Sequence, residues 1–152
     1  MDSAALSAAG WRSIEGRGFT AQLGPIWVLG GAGERQIGFI ATAQQGNDQA
    51  GAVHGGALMT FADIALGYAA ADALGGSHLV TAQLQVHFVS GGRVGEFIHC
   101  RPELVRRSTH LIFVRGLLVA GARTLASADG IWKVLDQAQA RGGGCSRADT
   151  AG

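Results

Sequence analysis

The sequence predicts an α+β domain in which an antiparallel sheet wraps around one long central helix. Residues 55–74 form an almost uncharged apolar run that Gly75-Gly76 closes as a C-terminal stop. Beyond that run the pattern changes to the two-residue alternation of strands, with short polar turns between segments. A helix apolar all round belongs in the middle of a soluble domain, and only a wrapped sheet buries every face of it. The chain has 152 residues, enough for one domain with a single core and no need of disulfides or metals.

Taken in order, residues 2–12 are Ala-rich and read as a short helix. Gly24-Pro25 breaks the chain before a short strand at residues 26–29, which ends at Gly30-Gly31. Residues 35–42 alternate Ile37, Phe39 and Ala41 against smaller or more polar neighbours and read as a second strand. Residues 44–51 (QQGNDQAG) are a polar loop. After the helix, residues 79–89 place Ala82, Leu84, Val86 and Phe88 on one face and Thr81, Gln83, Gln85 and His87 on the other. Three further strands are expected at residues 96–105, 110–119 and 124–135, the four together forming an antiparallel meander. The expected organisation is an N-terminal segment (1–18), one folded domain (19–136) and a disordered Gly-rich tail (137–152).

Composition narrows the function classes. Hydrophobic residues make up 47% and charged residues 15% of the chain, which points to surface covered by other subunits. A formal net charge of +1 gives no electrostatic case for nucleic acid or an anionic membrane. Cys100 and Cys145 lie far apart with no CxxC pair, so neither a zinc site nor a disulfide framework is indicated, and a reducing cytoplasm is the expected location. The first ten residues lack the basic and apolar regions of a secretory signal. The apolar run is about as long as a bilayer crossing, but Asp63, Asp72 and its many Ala and Gly residues argue against insertion. His87, His99 and His110 have no metal-ligand spacing, and Trp27 and Trp132 read as core or interface.

Chemistry concentrates between residues 48 and 63. Asp63 is a carboxylate inside an apolar helix, which is costly unless a partner offsets it. It is either a paired structural group or a reactive one, and His54-Gly55-Gly56 at the helix entrance favours the second. Two successive glycines there leave backbone N–H groups bare at the positive end of the helix dipole, a setting suited to a developing oxyanion. Gly55 and Asp63 are eight residues apart, or ~12 Å along a helix. One carbonyl cannot touch both at hydrogen-bond distance. If both act, each site takes Gly55 from one subunit and Asp63 from another, so a dimer with two equivalent sites is expected.

These residues resemble the hotdog-fold thioesterases, in the branch of the phenylacetic-acid-pathway (PaaI-like) and 4-hydroxybenzoyl-CoA enzymes. That branch carries Asn-x-x-Gly-x-x-His-Gly-Gly, an acidic residue seven positions later, and Ser or Thr eighteen beyond it. Gly51, His54, Gly55, Gly56, Asp63 and Thr81 fit in register, and the likeness runs from about Phe19 to Lys133. The family's Asn falls at Asp48, with Asn47 just before it, so either Asn47 takes that role through a one-residue shift or Asp48 substitutes a second carboxylate. Both residues are also good turn formers.

The resemblance implies an acyl-CoA thioesterase working as a dimer or dimer of dimers, a homotetramer, with no cofactor beyond the coenzyme A of its substrate. Asp63 would be nucleophile or general base, and the Gly55 N–H the oxyanion donor, with Gly56 beside it in the substrate site. His54 would position the substrate carbonyl or cap the helix, and Thr81 would contact water or Asp63. Arg106, Arg107 and Ser108, on an expected turn, offer contacts to the CoA phosphates, with Arg93 and Arg115 as further cations. This family often has Gly at the position of Ser108. Three competing readings are an enoyl-thioester hydratase, a non-catalytic acyl-CoA-binding protein and a purely structural oligomer. The first needs an Asp and His pair that the sequence does not offer. An intact Asp63 and the absence of a basic DNA-binding segment argue against the second, and the paired glycines against the third.

Overall fold

The computed structural model describes residues 1–48 and 51–136. The tail at 137–152, including Cys145, lies outside the described residues. Helix α1 spans Ser3–Ala8, shorter than residues 2–12, because Gly10 turns the chain at a positive φ of 88° and frees Arg12–Ile14 to form strand β1. Asp2 caps α1 by accepting from the Ala5 N–H at 2.9 Å. Strands β2 (Ile26–Leu29) and β3 (Gln36–Ile40) follow, separated from β1 by a 3-10 turn at Gly18–Leu23. Helix α2 runs over Gly55–Leu74, the bounds the apolar run predicts, and Gly75 closes it in the left-handed conformation at φ 75°.

The remaining strands are β4 (Leu79–Phe88), β5 (Phe97–Cys100), β6 (Glu103–Arg107), β7 (Leu111–Ala120) and β8 (Arg123–Val134). Two expectations are corrected. The strand expected at residues 96–105 is broken at Arg101-Pro102, since proline has no N–H for the ladder, and it becomes β5 and β6. The four strands do not form a simple meander either. The sheet order is β1-β2-β3-β5-β7-β8-β4, with β6 pairing β7 off that path. β4 therefore crosses to the far edge, beside β8, and β5 enters beside β3.

The sheet curls around one side of α2. Leu58, Phe61, Ala62, Ala65, Leu66 and Ala70 are buried on that side, at the three- and four-residue spacing of one helical face. Phe61 meets Phe39 of β3 with ring centroids 4.8 Å apart. Gly116 of β7 admits Leu66 of α2 and Cys100 of β5, since a Cβ there would fall 3.2 Å from the Leu66 side chain and 2.6 Å from the Cys100 sulfur. Burial pushes the Cys100 thiol up to about 12, so it packs as a neutral group. Asp72 in the last turns of α2 accepts a two-pronged bond from Arg35 at 2.8 and 2.9 Å. A second cluster of Leu6, Trp11, Trp27 and Phe97 sits where α1 folds onto the sheet, with Trp11 edge-on to Phe97 at 4.9 Å.

The sheet does not bury every face of α2, as the apolar run suggested. Asp63, Ile64, Gly67 and Tyr68 are only half-buried, and Met59 is exposed. By length and composition α2 is apolar enough to cross a membrane, but here its fully buried side chains form the core of the domain. Phe61→Ala empties the centre of that core. It is expected to destabilise the fold by about 3–5 kcal/mol, read as a lower urea midpoint with an unchanged slope.

Candidate active site

The start of α2 and one edge of the sheet supply the candidate residues. His54 is the N-cap of α2, with φ −64° and ψ 135°, and its Nδ1 accepts the Gly56 N–H at 2.8 Å. With Nδ1 accepting, Nε2 is the ring nitrogen left to carry a proton and act as a donor. This contact explains the second glycine. A Cβ at Gly56 would sit 3.0 Å from His54 Nδ1. The expectation that both glycines leave their N–H groups uncovered is thereby corrected, because His54 accepts the Gly56 N–H. The Gly55 N–H has no hydrogen-bond partner among the described residues. It stands at the first position of a 20-residue helix, where backbone dipoles favour negative charge.

Asp63 lies two turns further on, half-buried, on the side of α2 that faces β4. Thr81 Oγ1 donates to Asp63 Oδ1 at 2.6 Å. Simple alternation places Thr81 on the face opposite Leu84 and Val86. A β-bulge corrects this, since Thr81 pairs with Trp132 and Gln83 with Ile131, leaving Ala82 as an extra residue. The inserted residue switches the parity of the strand. Thr81 then joins Leu84 and Val86 on the helix side, and the latter two pack against the core.

Asp63 and the helix start open into different cavities. Asp63, Ile64, Gly67, Tyr68, Thr81 and Trp132 line one of about 470 Å³. His54 and Gly56, with Phe19, Leu23 and Thr60, line another of about 370 Å³. Phe88 at the far end of β4 is the nearest side chain to where a Gly55 Cβ would be, at 3.5 Å. One strand thus carries Thr81 beside Asp63 and Phe88 beside Gly55. The lining of the first cavity by Gly67, Tyr68 and Trp132 escaped the sequence reading, although Gly67 follows Asp63 by four residues and so shares its helical face.

Asn47 and Asp48 stand on the strip that leads into the helix. The Asn47 N–H donates to Ala52 O at 2.9 Å and the His54 N–H to Gln45 O at 2.8 Å, which folds residues 45–54 back on themselves. Both residues are exposed, and neither lines the Asp63 cavity within the chain. Arg106 and Arg107 belong to β6 rather than to a turn. Arg107 donates to Ala73 O at 2.6 Å near the end of α2, Arg106 is exposed, and Ser108 closes the β6–β7 turn through Leu111. The register Arg107–Ile112–Trp132–Thr81 spans three strand spacings, so Arg107 and Thr81 are ~14 Å apart. Arg115 is held by Glu103 at 3.0 and 3.1 Å, and Arg93 is exposed on the loop after β4. A larger cavity of about 530 Å³ lies between His99, Arg115 and Asp129, none of which lines the cavities of Asp63 or His54. Among the described residues no group of three His, Cys, Asp or Glu side chains is placed to hold a metal.

A curved antiparallel sheet packed on one long helix, with a glycine-started helix and an acidic side chain two turns in, defines the hotdog class of α+β proteins. The sequence pattern of the Thioesterase superfamily matches residues 50–127, and the chain belongs to that family. It is 29% identical over 111 residues to "Putative esterase PA0474" of Pseudomonas aeruginosa, covering 72% of this chain and 83% of that protein. Zebrafish thioesterase superfamily member 2 superposes with a TM-score of 0.71 at 21% identity, covering 79% of this chain and 88% of its own. A variant of the phenylacetic acid degradation protein PaaI from Thermus thermophilus superposes at 0.68 with 23% identity, over 77% and 98%. These two structures share the fold with this chain.

Proposed function

We propose that the protein is a homo-oligomeric acyl-CoA thioesterase, cleaving an acyl- or aryl-CoA ester to the free acid and coenzyme A. The observation that carries the reading is the split arrangement. The Gly55 N–H, unpaired among the described residues, stands between His54 and Gly56, which line one cavity; the Thr81-bonded Asp63 lines another, and the edge strand β4 that links them is paired on one side only among the described residues. Antiparallel pairing of β4 with its copy, setting Phe88 opposite the partner subunit's Thr81, brings each Gly55 towards the partner's Asp63. The unit is then a dimer, or a dimer of dimers.

In such a site the thioester carbonyl oxygen accepts from the Gly55 N–H, and His54 Nε2–H is a second donor at the same helix end. Thr81 occupies Asp63 Oδ1, which leaves Oδ2 for the reaction. Oδ2 either removes a proton from water as that water attacks the carbonyl carbon, or attacks the carbon itself and forms an anhydride that water then opens. In both cases the C–S bond breaks, CoA leaves as the thiolate and takes up a proton, and the acyl group departs as the acid. Either Asn47 or Asp48 would orient the carbonyl or the water from the adjoining strip. Arg106, with Arg107, Ser108 and Arg93, would meet the CoA phosphates. CoA is part of the substrate, no other cofactor enters, and a cytoplasmic location fits this chemistry.

Release of free thiol from short, medium, long-chain and aromatic CoA esters tests the proposal. Hydrolysis of at least one class is expected. Tight binding of acyl-CoA without cleavage of any ester would favour a non-catalytic acyl-CoA-binding protein instead.

A further inference from the structure

The cavity beside Asp63 has a polar floor that hydrolysis alone does not use. Gly67 follows Asp63 by one helical turn on the same face of α2, about 6 Å further along the axis. A Cβ at this position would sit 3.6 Å from Trp132 Nε1. With no side chain at residue 67, the nitrogen edge of the indole is left bare to a cavity that both residues line. Trp132 is 1% exposed and is fixed in the sheet between Thr81 and Ile112. Its N–H has no hydrogen-bond partner among the described residues, yet unlike Trp27 Nε1 it is not sealed from the surface.

An indole N–H donates and never accepts. Ile64, Leu79 and the ring of Tyr68 stand beside it, and Thr20, Ser77 and the Asp63–Thr81 pair supply the other polar groups of the lining; among these the indole N–H is a donor held rigidly by the sheet. An unsubstituted alkyl chain lying there leaves that donor dry and unpaired, whereas an acceptor oxygen satisfies it. Sites built around a buried donor discriminate on this basis.

We propose that the Trp132 N–H, bared by Gly67, reads an oxygen on the acyl group. The favoured substrates are then acyl thioesters carrying a hydroxyl or carbonyl oxygen about 6 Å from the thioester carbon, the rise of one helical turn. This inference rests on the thioesterase reading and names the substrate class and two specificity residues for it.

Hexanoyl-CoA and 5-oxohexanoyl-CoA form a matched pair, since the second places a carbonyl oxygen at that reach. For the native protein, kcat/KM for the oxo ester is expected to exceed that for hexanoyl-CoA by about tenfold, the worth of one buried hydrogen bond. In Gly67→Ala the added methyl covers the N–H at ordinary contact distance and suits the helix better than glycine. The ratio of the two kcat/KM values should then fall towards one while the melting temperature holds. Trp132→Phe removes the donor while keeping an aromatic ring at the site, and should collapse the same ratio. Equal kcat/KM values for the pair in the native protein, or a preference that survives both substitutions, overturns the inference. If neither ester of this pair is cleaved, the wider panel of CoA esters decides the thioesterase reading separately. Calorimetric dissociation constants for the same pair then carry the comparison, with the same ratio expected and its absence equally decisive.

Discussion

Asp63→Asn is expected to lower kcat for thioester cleavage by roughly two to four orders of magnitude, the usual worth of a positioned acid–base or nucleophilic group. The substitution keeps the shape of the side chain, and Thr81 Oγ1 can still donate to the remaining carbonyl oxygen at the Oδ1 position. Asp63 makes no other side-chain hydrogen bond or ion pair among the described residues, so the fold has little to lose. Circular dichroism and the thermal midpoint should match those of the native protein while thiol release disappears. A variant that still turns over at a tenth of the native rate would mean that Asp63 only anchors Thr81, and that the nucleophile or base lies elsewhere.

The second large effect tests the division of each site between two chains. Gly55→Pro deletes the free N–H without breaking the helix. Proline is welcome at the first helical position. The preceding His54 already has the extended φ −64° and ψ 135° that a following proline requires. Loss of one oxyanion donor should cost about 10²–10³ in kcat. Alone, Asp63→Asn and Gly55→Pro should each be close to inactive. Coexpressed, they assort into mixed dimers in which one site joins an intact Gly55 to an intact Asp63 and the other carries both lesions. Random assortment makes about half the dimers mixed, so about a quarter of native turnover should return. No recovery in a preparation shown by mass spectrometry to contain mixed dimers would place both groups in one chain's site and remove the argument from spacing.

Much of this arrangement was legible residue by residue. The eight-residue gap from Gly55 to Asp63 is a property of the sequence, and once the helix forms it fixes their separation. The bounds of α2 were equally plain, because its end is written in Gly75, which takes a positive φ that other residues avoid. His54 was left between two roles, positioning substrate and capping the helix. The structure gives it the cap through Nδ1, which leaves Nε2 to act as a donor, so one ring can serve both. Arg107 was expected on a turn, and the structure places it on β6. Its bond to Ala73 O depends on the packing of β6 near the end of α2, and no local pattern announces that contact.

By itself, then, the sequence determined the main elements and the spacing of the candidate residues: one apolar helix with glycine at both ends, strands after it, and His54, Gly55, Asp63 and Thr81 at fixed intervals. These depend on backbone preferences and side-chain periodicity within a few residues of each position. The tertiary structure alone decided the order of the strands, which sends β4 to the open edge, and the extra residue at Ala82, which turns Thr81 towards Asp63. Pairing order and register follow from which distant surfaces bury one another. A single inserted residue reverses every side chain on one side of it. Alternation counted along an isolated strand cannot register such an insertion, because the missing partner residue lies on β8.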